Sequence, residues 1–331
     1  MNNNLRNILL KELKKRKYNG IAQYEIESLY NFSRSYISET ISGLLNENTI
    51  VRKTTGRLTK MIWLFDYYPD IIPGYIRIGI LKSSEYVLFL SMMNEISEID
   101  GIKIKLLVFN STAELMEALI NNSIELCLSP LFSQFISALI HKNIVLLGPV
   151  ASGGSFILEN QNYENNYCYT SKISSMMLLT KEFIKSKNTG IKTFSNPASG
   201  IRQFENKEGR YITIWEPYAS SLSSNYVKIK TYSDLMGDEP CCFIATNKNY
   251  YSNNTDFINN LIIEYRTYNH FDEKMVKFIS RVTKIRENII KASLNSYNYS
   301  QKFTLSEMNN YIKKFGIVLS DKELKNIYIY G

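Results

Sequence analysis

The chain has 331 residues, 44% of them apolar, enough for two or three globular domains that each bury a core. Its net charge of +8 is unevenly placed: residues 1–65 hold eleven Lys or Arg against five Asp or Glu, and the remainder is nearly neutral at 28 against 26. This composition excludes a disordered chain. The absence of any uninterrupted apolar run of about 18–20 residues also excludes a helical membrane span.

Four cysteines (Cys127, Cys168, Cys241 and Cys242) are too scattered for a disulfide framework, and no CxxC pair points to zinc, so reduced thiols and no bound metal or cofactor are expected. The opening residues 1–7 carry no apolar run of signal-peptide length, from which a cytoplasmic location is expected.

Helical spacing of Leu5, Ile8, Leu9 and Leu13 predicts a first helix over 5–17, ended by Asn19-Gly20. A second, near 23–30, buries Ile26 and Leu29. Ser33 then serves as an N-cap, with Phe32 and Ile37 placed as a hydrophobic staple. Inward Ile37, Ile41, Leu44 and Leu45 leave Ser33, Arg34, Ser35, Ser38, Glu39 and Ser42 facing out. Two strands follow, over 50–53 and 60–65, around the turn Thr54-Thr55-Gly56-Arg57. The order and spacing resemble a winged helix-turn-helix of the MarR and ArsR kind, over residues 1–67. That resemblance implies double-stranded DNA as partner. Helix three would enter the major groove and Lys53, Arg57 and Lys60 of the wing would reach phosphates or a neighbouring groove. A winged helix used for protein contact is the alternative.

Residues 68–75, with Pro69 and Pro73, read as a linker. Strands over 75–81, 103–109, 124–128 and 144–147 then alternate with helices from Glu85, over 112–121 and over 132–141, the pattern of βαβ units on a mainly parallel sheet. Ser111 with Glu114, Thr304 with Glu307 and Ser320 with Glu323 have capping-box spacing. A second α/β group runs over 151–239, with strands at 155–159, 211–215 and 227–231 and a helix around 174–187. The chain returns through a strand at 241–245 to several C-terminal helices. No GxGxxG or GxxxxGK[ST] loop is present, which leaves nucleotide binding unsupported.

Three stretches resemble the type 2 periplasmic binding proteins, in the branch that binds nitrate, sulfonates, taurine and thiamine-pyrimidine precursors. They are Ile76-Arg77-Ile78-Gly79-Ile80, Ile124-Glu125-Leu126-Cys127-Leu128-Ser129-Pro130 and, most specifically, Trp215-Glu216-Pro217-Tyr218. The resemblance implies a two-lobed domain over 76–331, with lobe one at about 76–150 plus 240–331 and lobe two at about 151–239. The expected fold class is therefore multidomain α+β and α/β. A ligand would lie where strand-end loops converge: at Lys82, Ser83, Ser84 and Tyr86, Ser129, Thr170 and Ser171, and Glu216 with Tyr218. Hydroxyls at helix starts suit an anion; Glu216 suits an amine or aminopyrimidine stacked on Tyr86 or Tyr218. Trp215 reads as core. Ser152-Gly153-Gly154-Ser155 is either a cleft loop or an interlobe hinge.

The fungal thiamine-pyrimidine synthases share this fold and carry a Cys-Cys-Cys-Phe-Cys run, of which Cys241-Cys242-Phe243 keeps only part. Buried structural cysteines are the expectation, and no catalytic residue is assigned. The whole then reads as a ligand-responsive, DNA-binding transcription regulator acting as a homodimer. The alternatives are a ligand-binding protein with a protein-docking head and, third, an enzyme.

Overall fold

The computed structural model describes residues 5–56, 58–172, 174–237, 239–299 and 302–329. The chain divides into two compact units, Met1–Pro73 with Asn121–Ile124, and Gly74–Ile120 with Glu125–Gly331.

The first unit runs α1 (Leu5–Arg16), β1 (Ile21–Ala22), α2 (Gln23–Leu29), α3 (Arg34–Asn46), β2 (Ile50–Thr55) and β3 (Thr59–Leu64). Its antiparallel sheet has the order β1-β3-β2. Leu5, Leu9, Leu13, Ile26, Ile37, Ile41, Leu44 and Ile62 form one core, so the helical stripes read from spacing do face inward. Ser33 caps α3 by accepting from the Tyr36 amide at 3.3 Å. Gly20 cannot be replaced cheaply: its φ is +61°, and a Cβ there would meet the Trp63 Nε1 at 2.6 Å. Leu29, expected inside, is 55% exposed. The two-turn α2 ends there, and Tyr30, on extended backbone, packs against the core instead.

The second unit begins with β4 (Tyr75–Ile80), α4 (Val87–Asp100), β5 (Lys103–Val108), α5 (Thr112–Ile120), β6 (Leu126–Pro130), α6 (Leu131–His141) and β7 (Ile144–Gly153). The chain continues through β8 (Ser155–Glu159), β9 (Tyr167–Ser171), α7 (Ser175–Ile184), β10 (Gly190–Phe194), α8 (Pro197–Glu205), β11 (Tyr211–Trp215), α9 (Tyr218–Leu222), β12 (Val227–Thr231) and α10 (Tyr232–Met236). It closes with β13 (Pro240–Asn247), α11 (Lys248–Asn253), α12 (Thr255–Tyr265), α13 (Glu273–Thr283), α14 (Glu287–Leu294), β14 (Tyr297–Asn298), α15 (Leu305–Lys313) and α16 (Asp321–Lys325). Capping boxes start α15 and α16 at Thr304 and Ser320. Among the described residues no helix is long and apolar enough to cross a membrane.

Two sheets result, of order β14-β7-β13-β6-β4-β5 and β10-β9-β11-β8-β12. Both are mixed rather than mainly parallel. In the first, β4 pairs in parallel with β5 and with β6, while β13 lies antiparallel between β6 and β7. The cause is the route of the chain: β7 leaves its sheet through Gly153-Gly154 straight into β8 of the other sheet. The returning β13 fills the slot beside β6 that a βαβ repeat would have given to β7. Each sheet anchors one lobe, and the chain crosses between lobes after β7 and again between α10 and β13.

Candidate functional site

The end of β4 delivers the loop 81–86, whose Ser83, Ser84, Glu85 and Tyr86 are all buried. The end of β11 delivers Trp215, Glu216 and Pro217 from the other lobe. These loops tie the lobes together: the Trp215 Nε1 donates to the Lys82 carbonyl at 3.1 Å, while the Ser83 hydroxyl and the Tyr297 hydroxyl each donate to the Glu216 carbonyl at 3.2 Å. Beside them opens a cavity of about 730 Å³, a size suited to a small molecule.

Three helix starts contribute to the cavity wall. Ser111 and Thr112 open α5, Ser174 and Ser175 open α7, and Asn196 and Pro197 open α8; all six line it. The helix dipole makes each of these ends positive, while Pro197 has no N–H and the Glu114 and Ser199 amides already donate to Ser111 Oγ at 3.2 Å and Asn196 Oδ1 at 3.0 Å. Lys82, Lys172 and Lys284 also line the cavity, against Glu85 as the single carboxylate among its lining residues. Tyr86, Phe109, Met116, Trp215 and Tyr218 give it an apolar part. Burial pushes the Tyr218 phenol up to about 12, so it is a neutral donor there.

Of the ligand residues expected from sequence, Lys82, Ser83, Tyr86, Ser171 and Tyr218 line the cavity. Ser84, Ser129, Thr170 and Glu216 do not. Ser84 is turned toward Ser293, whose hydroxyl donates to it at 2.8 Å, and Ser129 and Thr170 are fully buried within their sheets. The Glu216 carboxylate is fully buried and already engaged by the Ser220 amide and hydroxyl, both at 2.8 Å, and by Lys228 at 3.2 Å. It holds the start of α9 rather than an amine ligand. Trp215, expected as core, lines the cavity. Gly153 and Gly154 take φ of +79° and +66° where the chain crosses between lobes, and neighbouring Ser155 lines the cavity.

Glu85 and Tyr297 escaped sequence reasoning, the first because it looks like an ordinary helix-start acid. Glu85 accepts from the Cys241 and Cys242 thiols, each at 3.1 Å. The three side chains meet because β13 slips register against β7 at these cysteines, a bulge that turns neighbouring side chains toward one side. Burial pushes the Glu85 carboxyl upward, and burial foremost also raises the Cys242 thiol. A hydrogen bond from Cys242 favours the Cys241 thiolate, but burial and the Glu85 charge outweigh it and hold that thiol at about 11.

On the first unit, Ser33, Arg34, Ser35, Ser38, Glu39, Ser42 and Lys60 are exposed, as the outward face of α3 and the hairpin require. Arg57 lies outside the described residues. Arg34 pairs with Glu27 at 3.1 Å and Lys53 with Asp70 at 2.6 Å. Arg6 and Arg16 are also engaged by carboxylates. Of these acids only Asp70 lies outside residues 1–65, so the pairs leave most of the excess charge counted from sequence in place.

No protein-family model and no curated protein matches the chain. Solved structures do. The chain is similar to the ligand-binding component of an ABC-type import system from Staphylococcus aureus with zinc bound, at 16% identity and a TM-score of 0.61 over 73% of this chain and 92% of that one. The periplasmic aliphatic sulphonate-binding protein SsuA of Escherichia coli gives 17% and 0.58 over 74% and 91%. The periplasmic nitrate-binding protein NrtA of Synechocystis PCC 6803 gives 11% and 0.61 over 78% and 86%. These likenesses lend no support to a winged-helix head, DNA binding or a dimer. They overturn the expected cytoplasmic location, since these neighbours are periplasmic proteins or an importer component, and that expectation rested on the composition of the first residues and the lack of a membrane-length apolar run. Over about three quarters of its length the chain has the two-lobed α/β fold of the periplasmic binding proteins.

Proposed function

We propose that this chain is a binding protein whose interlobe cavity takes a small organic anion without converting it, and whose first unit docks a macromolecular partner. The observation that carries the first part is the convergence of the α5, α7 and α8 N-termini on one cavity that also presents Lys82, Lys172 and Lys284. Amide dipoles and cations of one sign favour an oxyanion head group, and the aromatic wall would cover an apolar tail. The neighbours that bind aliphatic sulphonate and nitrate have the same fold, which agrees with this class.

The test is thermal unfolding of the full chain against nitrate, taurine, alkanesulfonates, thiamine and its pyrimidine precursor. Alkanesulfonates are expected to raise Tm, with about 2.7 kcal/mol of stabilisation at a hundred times Kd, and Lys82→Ala with Lys172→Ala to weaken that response. Stabilisation by the aminopyrimidine alone would rule out the anion reading, and no stabilisation by any of them would remove the cavity assignment.

For the first unit the leading reading is protein contact, because Arg34 and Lys53 already have acidic partners. A winged helix on double-stranded DNA, as a two-fold dimer, is the second reading. It is favoured by the exposed hydroxyl face of α3 beside the β2–β3 hairpin. Phosphate contacts would make log affinity fall steeply and linearly with log salt. A flat salt response, expected here for the partner, would set DNA aside.

A further inference from the structure

Glu85, Cys241 and Cys242 come from segments 156 residues apart in the chain, yet their ligand atoms all lie within 4.8 Å of one another in the cavity wall. Neighbouring residues on a regular strand point to opposite faces, so two adjacent cysteines cannot both reach one carboxylate unless the strand departs from regularity. Here it does: Pro240 stands opposite Ser152 and Cys242 opposite Ala151, which leaves Cys241 as the extra residue of a bulge. The Cys241 Sγ lies 3.1 Å from one Glu85 oxygen and the Cys242 Sγ 3.1 Å from the other.

We propose that Glu85, Cys241 and Cys242 form a three-ligand site for a soft or borderline divalent cation of the zinc type, with its fourth position open to the cavity. Two sulfurs and one carboxylate disfavour magnesium and calcium, which demand more ligands and oxygen ones, and select metals that accept thiolate. The spacing also fits. Bonds of about 2.3 Å to sulfur and about 2.0–2.2 Å to oxygen place tetrahedral ligand atoms roughly 3.5–3.8 Å apart, so small side-chain shifts suffice. Three protein ligands with an open fourth position is the arrangement that lets a bound ion take a further ligand from solution. The site stands on its own geometry and does not depend on the cavity's organic ligand.

The test uses the reduced 331-residue chain, titrated with Zn²⁺ by calorimetry and with Co²⁺ by absorption. One ion per chain and a thiolate-to-cobalt charge-transfer band are expected. Cys241→Ser, Cys242→Ser and Glu85→Gln should each weaken binding by at least about tenfold, the scale at which even outer-shell partners are felt, while Cys168→Ser leaves it unchanged. No binding by the wild type, or a band that survives in the Cys241→Ser/Cys242→Ser double variant, overturns the site. Because those variants can fail to fold, wild-type alkylation is the independent check. Zn²⁺ should protect Cys241 and Cys242 from a thiol reagent, and equal labelling with and without Zn²⁺ overturns the proposal.

Discussion

Arg77 and Glu125 are the buried ion pair of the first lobe, 0% and 2% exposed, in stretches that are otherwise apolar. Taking two ions out of water costs several kcal/mol each, so such a pair persists only when its geometry is close to ideal. This one has a forked contact, Nη2 to Oε1 at 2.6 Å and Nε to Oε2 at 3.2 Å, and the Arg77 backbone amide also donates to Oε2 at 2.6 Å. Glu125→Ala removes the anion and leaves a guanidinium buried in the sheet. Urea unfolding should show a loss of about 3–5 kcal/mol; a loss under about 1 kcal/mol would mean that the remaining contacts of Arg77, or water, hold it without the carboxylate. Glu216 shows what a motif leaves unsaid at this scale. The Trp-Glu-Pro-Tyr stretch marks the right loop, and Trp215 and Tyr218 do line the cavity. The direction of the carboxylate, however, is set by Lys228 twelve residues on and by the Ser220 amide at the start of α9.

At the scale of elements, legibility follows locality. The helices and hairpin of the first unit, and the capped starts of α15 and α16, are encoded by spacing and caps within a dozen residues, and each was readable from the chain. β9 and β10 were not. Both are five residues long, and β10 is mostly exposed, so it presents neither an apolar run nor a clean alternation. The position of β13 between β6 and β7 was equally out of reach, since strand order depends on contacts about a hundred residues apart. The Cys241 bulge follows from that position, which is why two cysteines that look ordinary in sequence come to share one carboxylate. The crossing from β7 to β8 is intermediate: the glycine pair flags a special backbone, but the reason lies elsewhere in the chain. A Cβ on Gly154 would sit 1.9 Å from the Tyr297 ring, and one on Gly153 would sit 2.8 Å from the Ser296 carbonyl. The crossing is therefore held against β14 by a contact that only glycine permits, and the same Tyr297 hydroxyl fastens the Glu216 carbonyl.

For the molecule as a whole, the buried neutral acids set a limit on the alkaline side. Burial holds the Cys127 and Cys168 thiols at about 12, against an ordinary 9.0, and the Tyr218 phenol at about 12 against 10.0. Below pH 9 the thiols are protonated in both the folded and the unfolded chain, and they add no pH dependence. Above it the unfolded chain releases protons that the folded chain keeps, so the stability these groups confer is lost as pH rises through their folded values. Each thiol should contribute a fall of about 1.4 kcal/mol per pH unit between roughly pH 9 and 12, with Tyr218 adding its share from about pH 10. Urea unfolding between pH 8 and 11 should therefore show a steepening decline. In Cys168→Ala the absolute stability will differ, because a packed side chain is lost, but the decline above pH 9 should be shallower by about 1.4 kcal/mol per pH unit. An unchanged slope would mean that the Cys168 thiolate is reached by water in the folded state. The β9–β11 sheet, where Cys168 lies 3.6 Å from the Thr213 hydroxyl, would then have to open locally before the chain unfolds.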